Sequence, residues 1–103
     1  MAQDTHVYGE VGSKTGLKNV FKAIRRDVEK AKSRPALTEL YKRAGYLIAL
    51  THAPSWGEKF GKGAAALRKA AKEEFGSTAR KINRRARQLG TDADYDETWG
   101  GGR

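Results

Sequence analysis

Apolar residues in this chain recur at steps of three and four, in runs broken by proline and glycine. That pattern restricts the fold to a bundle of short helices. Leu17, Val20, Phe21, Ile24, Val28 and Ala31 form the first run, a spacing that turns one face of an α-helix toward a core. Ser33-Arg34-Pro35 interrupts it, because proline disfavours helical geometry in the residue before it. Leu37, Leu40, Tyr41, Ala44, Leu47, Ile48 and Thr51 predict a second helix over about 36–52. Tyr46, Ala49 and Leu50 widen its apolar surface, as expected of the most buried helix. Ala53-Pro54 ends it.

Ser55-Trp56-Gly57-Glu58 has the form of a capping box, which places the start of a third helix near Trp56. Gly57, Gly61 and Gly63 weaken its first turns and move the firm part to about Ala64. Leu67, Ala71 and Phe75 carry the stripe on. Gly76-Ser77-Thr78 reads in two ways. It is a turn in which Ser77 caps a fourth helix, or a glycine inside one long helix, at about 1 kcal/mol against alanine. Ala79, Ile82, Ala86 and Leu89 continue to Gly90, a good C-terminal stop.

The expected fold is therefore all-α, a small three- to four-helix domain over residues 17–90. A flexible arm, residues 1–16, precedes it, and an acidic flexible tail, residues 91–103, follows. A chain of 103 residues makes one domain of modest core.

Charge is segregated along this plan. Residues 14–89 hold 20 Lys and Arg against 6 Asp and Glu, or +14, whereas the whole chain carries +9. The sharpest feature is Arg80-Lys81-Ile82-Asn83-Arg84-Arg85-Ala86-Arg87, five bases within eight residues. Four acids follow within the six residues 92–97. At about 100° per residue, Ala79, Ile82, Ala86 and Leu89 share one arc, opposite the bases. Same-sign neighbours four apart, such as Arg80 with Arg84 and Lys81 with Arg85, cost a few tenths of a kcal/mol each. A polyanion relieves that repulsion, and arginine suits phosphate geometry. Arg80, Lys81, Arg84, Arg85 and Arg87 are thus the candidate nucleic-acid-binding residues. Lys18, Lys22, Arg25, Arg26 and Lys32 of the first helix are placed to extend the patch. The competing interpretation is a solvated face whose bases favour the helix C-terminus.

Two motif readings compete for the same residues. With Gly76 as turn glycine, the fourth helix becomes the recognition helix of a helix-turn-helix, with Arg80, Arg84 and Arg87 facing a groove. Lys72 occupies the position where that motif prefers alanine. Phe75, Ala79, Ile82, Ala86 and Leu89 also alternate as a coiled-coil seam does. Two heptads fall short of the three or four that specify one, which leaves a homodimer as an option.

Catalytic and metal constellations find no support in the residues. The chain has no cysteine, so disulfides and thiolate metal sites are excluded. His6 and His52 lie apart, with no acid or nucleophile at triad-like spacing, and two histidines make no usual zinc site. The glycine-rich run 57–63 lacks the Gly-Lys-Ser/Thr ending of a phosphate loop. Asp92, Asp94 and Asp96 alternate without the glycine and glutamate of a calcium loop. No enzyme, cofactor or metal is therefore expected. The longest apolar run is too short to span a bilayer, and nothing at the N-terminus reads as a signal peptide. The expectation is a cytoplasmic protein that binds nucleic acid. An adaptor or inhibitor binding an acidic protein surface is the rival. Tyr95 and Trp99, four apart in the acidic segment, make it a candidate docking strip for a basic surface, either the chain's own or a partner's.

Overall fold

The computed structural model describes residues 13–99. Four helices account for most of it: α1 (Lys14–Lys30), α2 (Arg34–His52), α3 (Pro54–Phe60) and α4 (Gly63–Gln88). The fold is all-α, as the periodicity requires. Ser13 caps α1 by accepting from the Gly16 amide, and Ser33 caps α2 by accepting from the Ala36 amide. Each serine satisfies one of the donors left free at a helix start. The first helix thus begins at Lys14, three residues before the predicted start. The arm expected over 1–16 otherwise falls on residues 1–12, outside those described.

The third and fourth predicted helices are partitioned differently. The chain breaks at Gly61, whose φ of +56° is a conformation that favours glycine. Beyond it α4 runs unbroken for 26 residues through Gly76. The helix-turn-helix expectation is overturned here, since no turn divides α4 at Gly76. Ala53 is the N-cap of α3, so that helix also starts before the predicted capping box.

Three long helices enclose the core. Arg25 and Glu29 of α1, and Ala31 just past its end, meet Glu74, Lys81 and Arg85 of α4 in ascending order, so these helices run parallel. Tyr41 and Thr51 of α2 meet Phe75 and Arg68 in descending order, so α2 runs antiparallel to α4. The predicted stripes face inward: Leu17, Val20, Phe21, Ile24 and Val28 are fully buried, as are Leu37, Ile48, Ala71, Ile82 and Ala86. Arg68 closes the lower end. Its guanidinium donates to the Thr51 carbonyl at 2.7 Å and the Ala53 carbonyl at 3.3 Å, tying down the C-terminus of α2.

The acidic segment does not trail away over its described part. Gly90, at φ +78°, reverses the chain after α4. Residues 91–99 then run back along the groove between α2 and α4 as an extended strap. Ala93 is buried. The Asn83 carboxamide, itself buried, accepts from the Tyr95 amide at 2.8 Å and donates to the Tyr95 carbonyl at 2.8 Å. The Tyr95 hydroxyl pairs with the Thr38 hydroxyl at 2.7 Å, and the Tyr41 hydroxyl donates to the Asp96 carbonyl at 3.0 Å. The rings of Tyr41 and Tyr95 lie 4.8 Å apart, and Trp99 ends the strap against His52 at 4.5 Å. Partial burial raises the pKa of the Tyr41 hydroxyl, and the Asp96 charge adds to the effect. Gly76 lies directly under the strap: a Cβ there would lie 3.3 Å from the Glu97 carbonyl oxygen.

Candidate nucleic-acid interface

The five predicted bases of α4 divide into two groups. Helical geometry turns Ile82 and Ala86 into the core, which rotates Arg80, Arg84 and Arg87 outward and Lys81 and Arg85 toward α1. Arg80, Arg84 and Arg87 are exposed, and none of their side chains makes an ion pair or hydrogen bond among the described residues. They occupy neighbouring turns of one rigid helix. Lys69 and Lys72 add exposed bases earlier on α4.

Lys81 and Arg85 are engaged. Lys81 pairs with Glu29 across the α1–α4 interface. Its hydrogen bond and charge hold the Glu29 carboxyl below its ordinary pKa, and Arg26 contributes in the same direction. The Arg85 Nε donates to the Ala31 carbonyl at 3.0 Å, one of the free carbonyls at the end of α1, and its Nη1 donates to Gln88 at 3.2 Å.

Of the α1 bases, Arg25 is drawn inward, where it pairs with Glu74 at 2.8 Å and donates to Thr78 at 3.2 Å. Lys18, Lys22 and Arg26 stay exposed or nearly so along one line of α1, at successive steps of four. Lys32 is also exposed, just past the helix end.

Two concavities flank the α4 ridge. Between α1 and α4, a cleft of about 150 Å³ is lined by Val28, Glu29, Lys81, Arg84, Arg85 and Gln88. On the strap side, a more open depression of about 390 Å³ involves Lys72, Glu73, Gly76, Arg80, Glu97, Thr98 and Trp99. The concavity on the α1 side therefore carries net positive charge, whereas the one on the strap side sets Lys72 and Arg80 against Glu73 and Glu97.

Sequence reasoning missed Asn83 as a recognition residue for the strap and Arg68 as the cap of α2. A polar Asn83 beside the apolar arc of Ala79, Ile82 and Ala86 was the available signal for the first. His52 behaves as expected at a helix end, its Nδ1 lying 3.0 Å from the Ile48 carbonyl oxygen. Among the described residues, no three acidic, histidine or cysteine side chains are grouped to hold a metal ion, and no helix is long and apolar enough to cross a membrane. No family model, curated protein or solved structure matches the chain.

Proposed function

We propose that this protein binds nucleic acid through its phosphate backbone, without catalysis, using the exposed ridge of α4 and the adjoining bases of α1. The observation that carries this reading is the group Arg80, Arg84 and Arg87. Three exposed guanidinium groups stand on one helix with no counter-ion among the described residues. Helix packing alone does not require them there, since Ile82, Ala86 and Ala79 supply the buried contacts. Arginine presents a planar fork of N–H donors that matches phosphate oxygens. The Cα positions are held by a 26-residue helix anchored on both sides, so binding has only the three side chains left to order.

Arginine contacts phosphates of any sequence, so the expected binding is dominated by strongly electrostatic, sequence-tolerant backbone contacts. Cytoplasmic nucleic acid is the expected ligand. The test is a gel shift of the full chain with a short duplex and a short single strand at about 50 and 200 mM salt, conditions over which phosphate contacts weaken markedly. Binding that fades steeply with salt supports the proposal. Absence of binding at the lower salt rejects it and favours an acidic protein surface as the partner of the same ridge.

A further inference from the structure

The cleft between α1 and α4 differs from the outer ridge in being concave and partly assembled. Of its lining residues, Lys81, Arg84 and Arg85 are cationic and Glu29 is anionic, which leaves a net charge of +2. The three bases are held to different degrees. Arg85 is fixed by the Ala31 carbonyl and by Gln88, which use two of its five N–H groups. Lys81 is held over the cleft by Glu29, a partner whose carboxylate is 64% exposed and can turn to solvent. Arg84, on the rim, has no partner among the described residues. A concavity of about 150 Å³ has room for one tetrahedral oxyanion.

We propose that this cleft is a seat for a single phosphate group, gripped by Lys81, Arg84 and the remaining N–H donors of Arg85, with Gln88 at its edge. The proposal rests on the nucleic-acid reading for the source of that phosphate, a backbone phosphodiester. A free phosphate has the same recognition chemistry. Glu29 acts as the resident anion: it orients Lys81 while the seat is vacant and yields Lys81 when phosphate enters. The ridge residues Arg80 and Arg87 supply unspecific attraction, whereas the cleft fixes where one phosphate sits and so sets the register of the strand.

The test uses the full chain and two probes, inorganic phosphate and a short oligonucleotide. Phosphate is titrated while backbone amide resonances are followed by NMR. The expected result is a saturable shift concentrated at Glu29, Lys81, Arg84, Arg85 and Gln88, lost in Lys81→Gln/Arg84→Gln and retained in Arg80→Gln/Arg87→Gln. Both variants remove two charges, so net charge does not separate them. Arg85 is left unaltered because it ties down the end of α1. For the oligonucleotide, the cleft pair should lose about tenfold more affinity than the ridge pair, the equivalent of one charge-assisted hydrogen bond. Glu29→Gln should tighten binding of both probes by roughly two- to fivefold, the size of an exposed charge–charge interaction. This gain cannot come from misfolding.

Phosphate shifts spread evenly over the ridge, or no shifts, overturn the seat. So does an oligonucleotide affinity that falls equally in the two variants, although nucleic-acid binding itself then stands. Phosphate seated in the cleft of a protein that binds no oligonucleotide upholds the seat and rejects the nucleic-acid reading.

Discussion

Asn83 holds the main chain of Tyr95 by both of its polar ends: the side-chain oxygen accepts from the Tyr95 amide and the side-chain nitrogen donates to the Tyr95 carbonyl, each at 2.8 Å. The same nitrogen reaches a Glu97 carboxylate oxygen at 3.0 Å. An extended segment with no ladder partner thereby has its central peptide groups satisfied from a helix. A buried amide or carbonyl without such a partner is costly.

Asn83→Leu should therefore destabilise the protein by on the order of 2 kcal/mol, the usual penalty for stranding buried polar groups. The amide of Tyr95 should lose its protection from hydrogen exchange while amides in the middle of α1 keep theirs. Equal melting temperatures and an equally protected Tyr95 amide in the variant would mean the strap is held by its side chains alone.

Gly76 should show a substitution effect that depends on the strap. In a bare helix, Gly76→Ala gains about 1 kcal/mol. In the full chain the added Cβ would lie 3.3 Å from both the Glu97 carbonyl oxygen and the Arg80 guanidinium, so part of that gain is lost. Chemical unfolding of Gly76→Ala in the full chain and in a chain ending at Gly90 measures the difference. The gain should be larger in the shorter chain, and equal gains would place the strap away from α4.

Asp94 and Asp96 are exposed while their neighbour Tyr95 is anchored. Asp94→Asn/Asp96→Asn should leave the strap docked, since the Asp96 contact to Tyr41 uses its main-chain carbonyl. Removing two negative charges beside the ridge should tighten nucleic-acid binding at low salt and matter less as salt screens the surface. Titrations at two ionic strengths check this, and an affinity unchanged at both would separate the strap from the basic ridge electrostatically.

The helices were legible because their apolar residues mark a face, and that face depends only on local spacing. Leu17 to Val28 and Leu37 to Ile48 are plain in the sequence for that reason. Gly76 was ambiguous because its nearest main-chain neighbour from outside α4 is the carbonyl of Glu97, 21 residues on. The strap left no helical periodicity: Tyr95 and Trp99 mark it only as a docking strip, and the grip of Asn83 and Tyr41 on its main chain leaves no side-chain pattern. The candidate site was legible as a list of five bases. Its division into a ridge of Arg80, Arg84 and Arg87 and a cleft side of Lys81 and Arg85, with Arg84 shared at the rim, depends on where α1 lies, which Glu29 and Ala31 reveal only in the folded chain.

The central claim is that the α4 ridge binds phosphate backbones. It is tested most directly by the salt dependence of affinity for a short duplex, compared between the full chain and Arg80→Ala/Arg84→Ala/Arg87→Ala. The three side chains are exposed and alanine favours helix, so the variant should keep its circular dichroism spectrum. Each phosphate contact adds about 0.9 to the log–log slope in duplex DNA. The full chain should show a slope of roughly −3 or steeper, and the variant should bind more weakly with a slope shallower by at least about two units. A folded variant with the affinity and slope of the full chain, or a full chain that binds no better than a neutral protein at about 50 mM salt, would contradict the account.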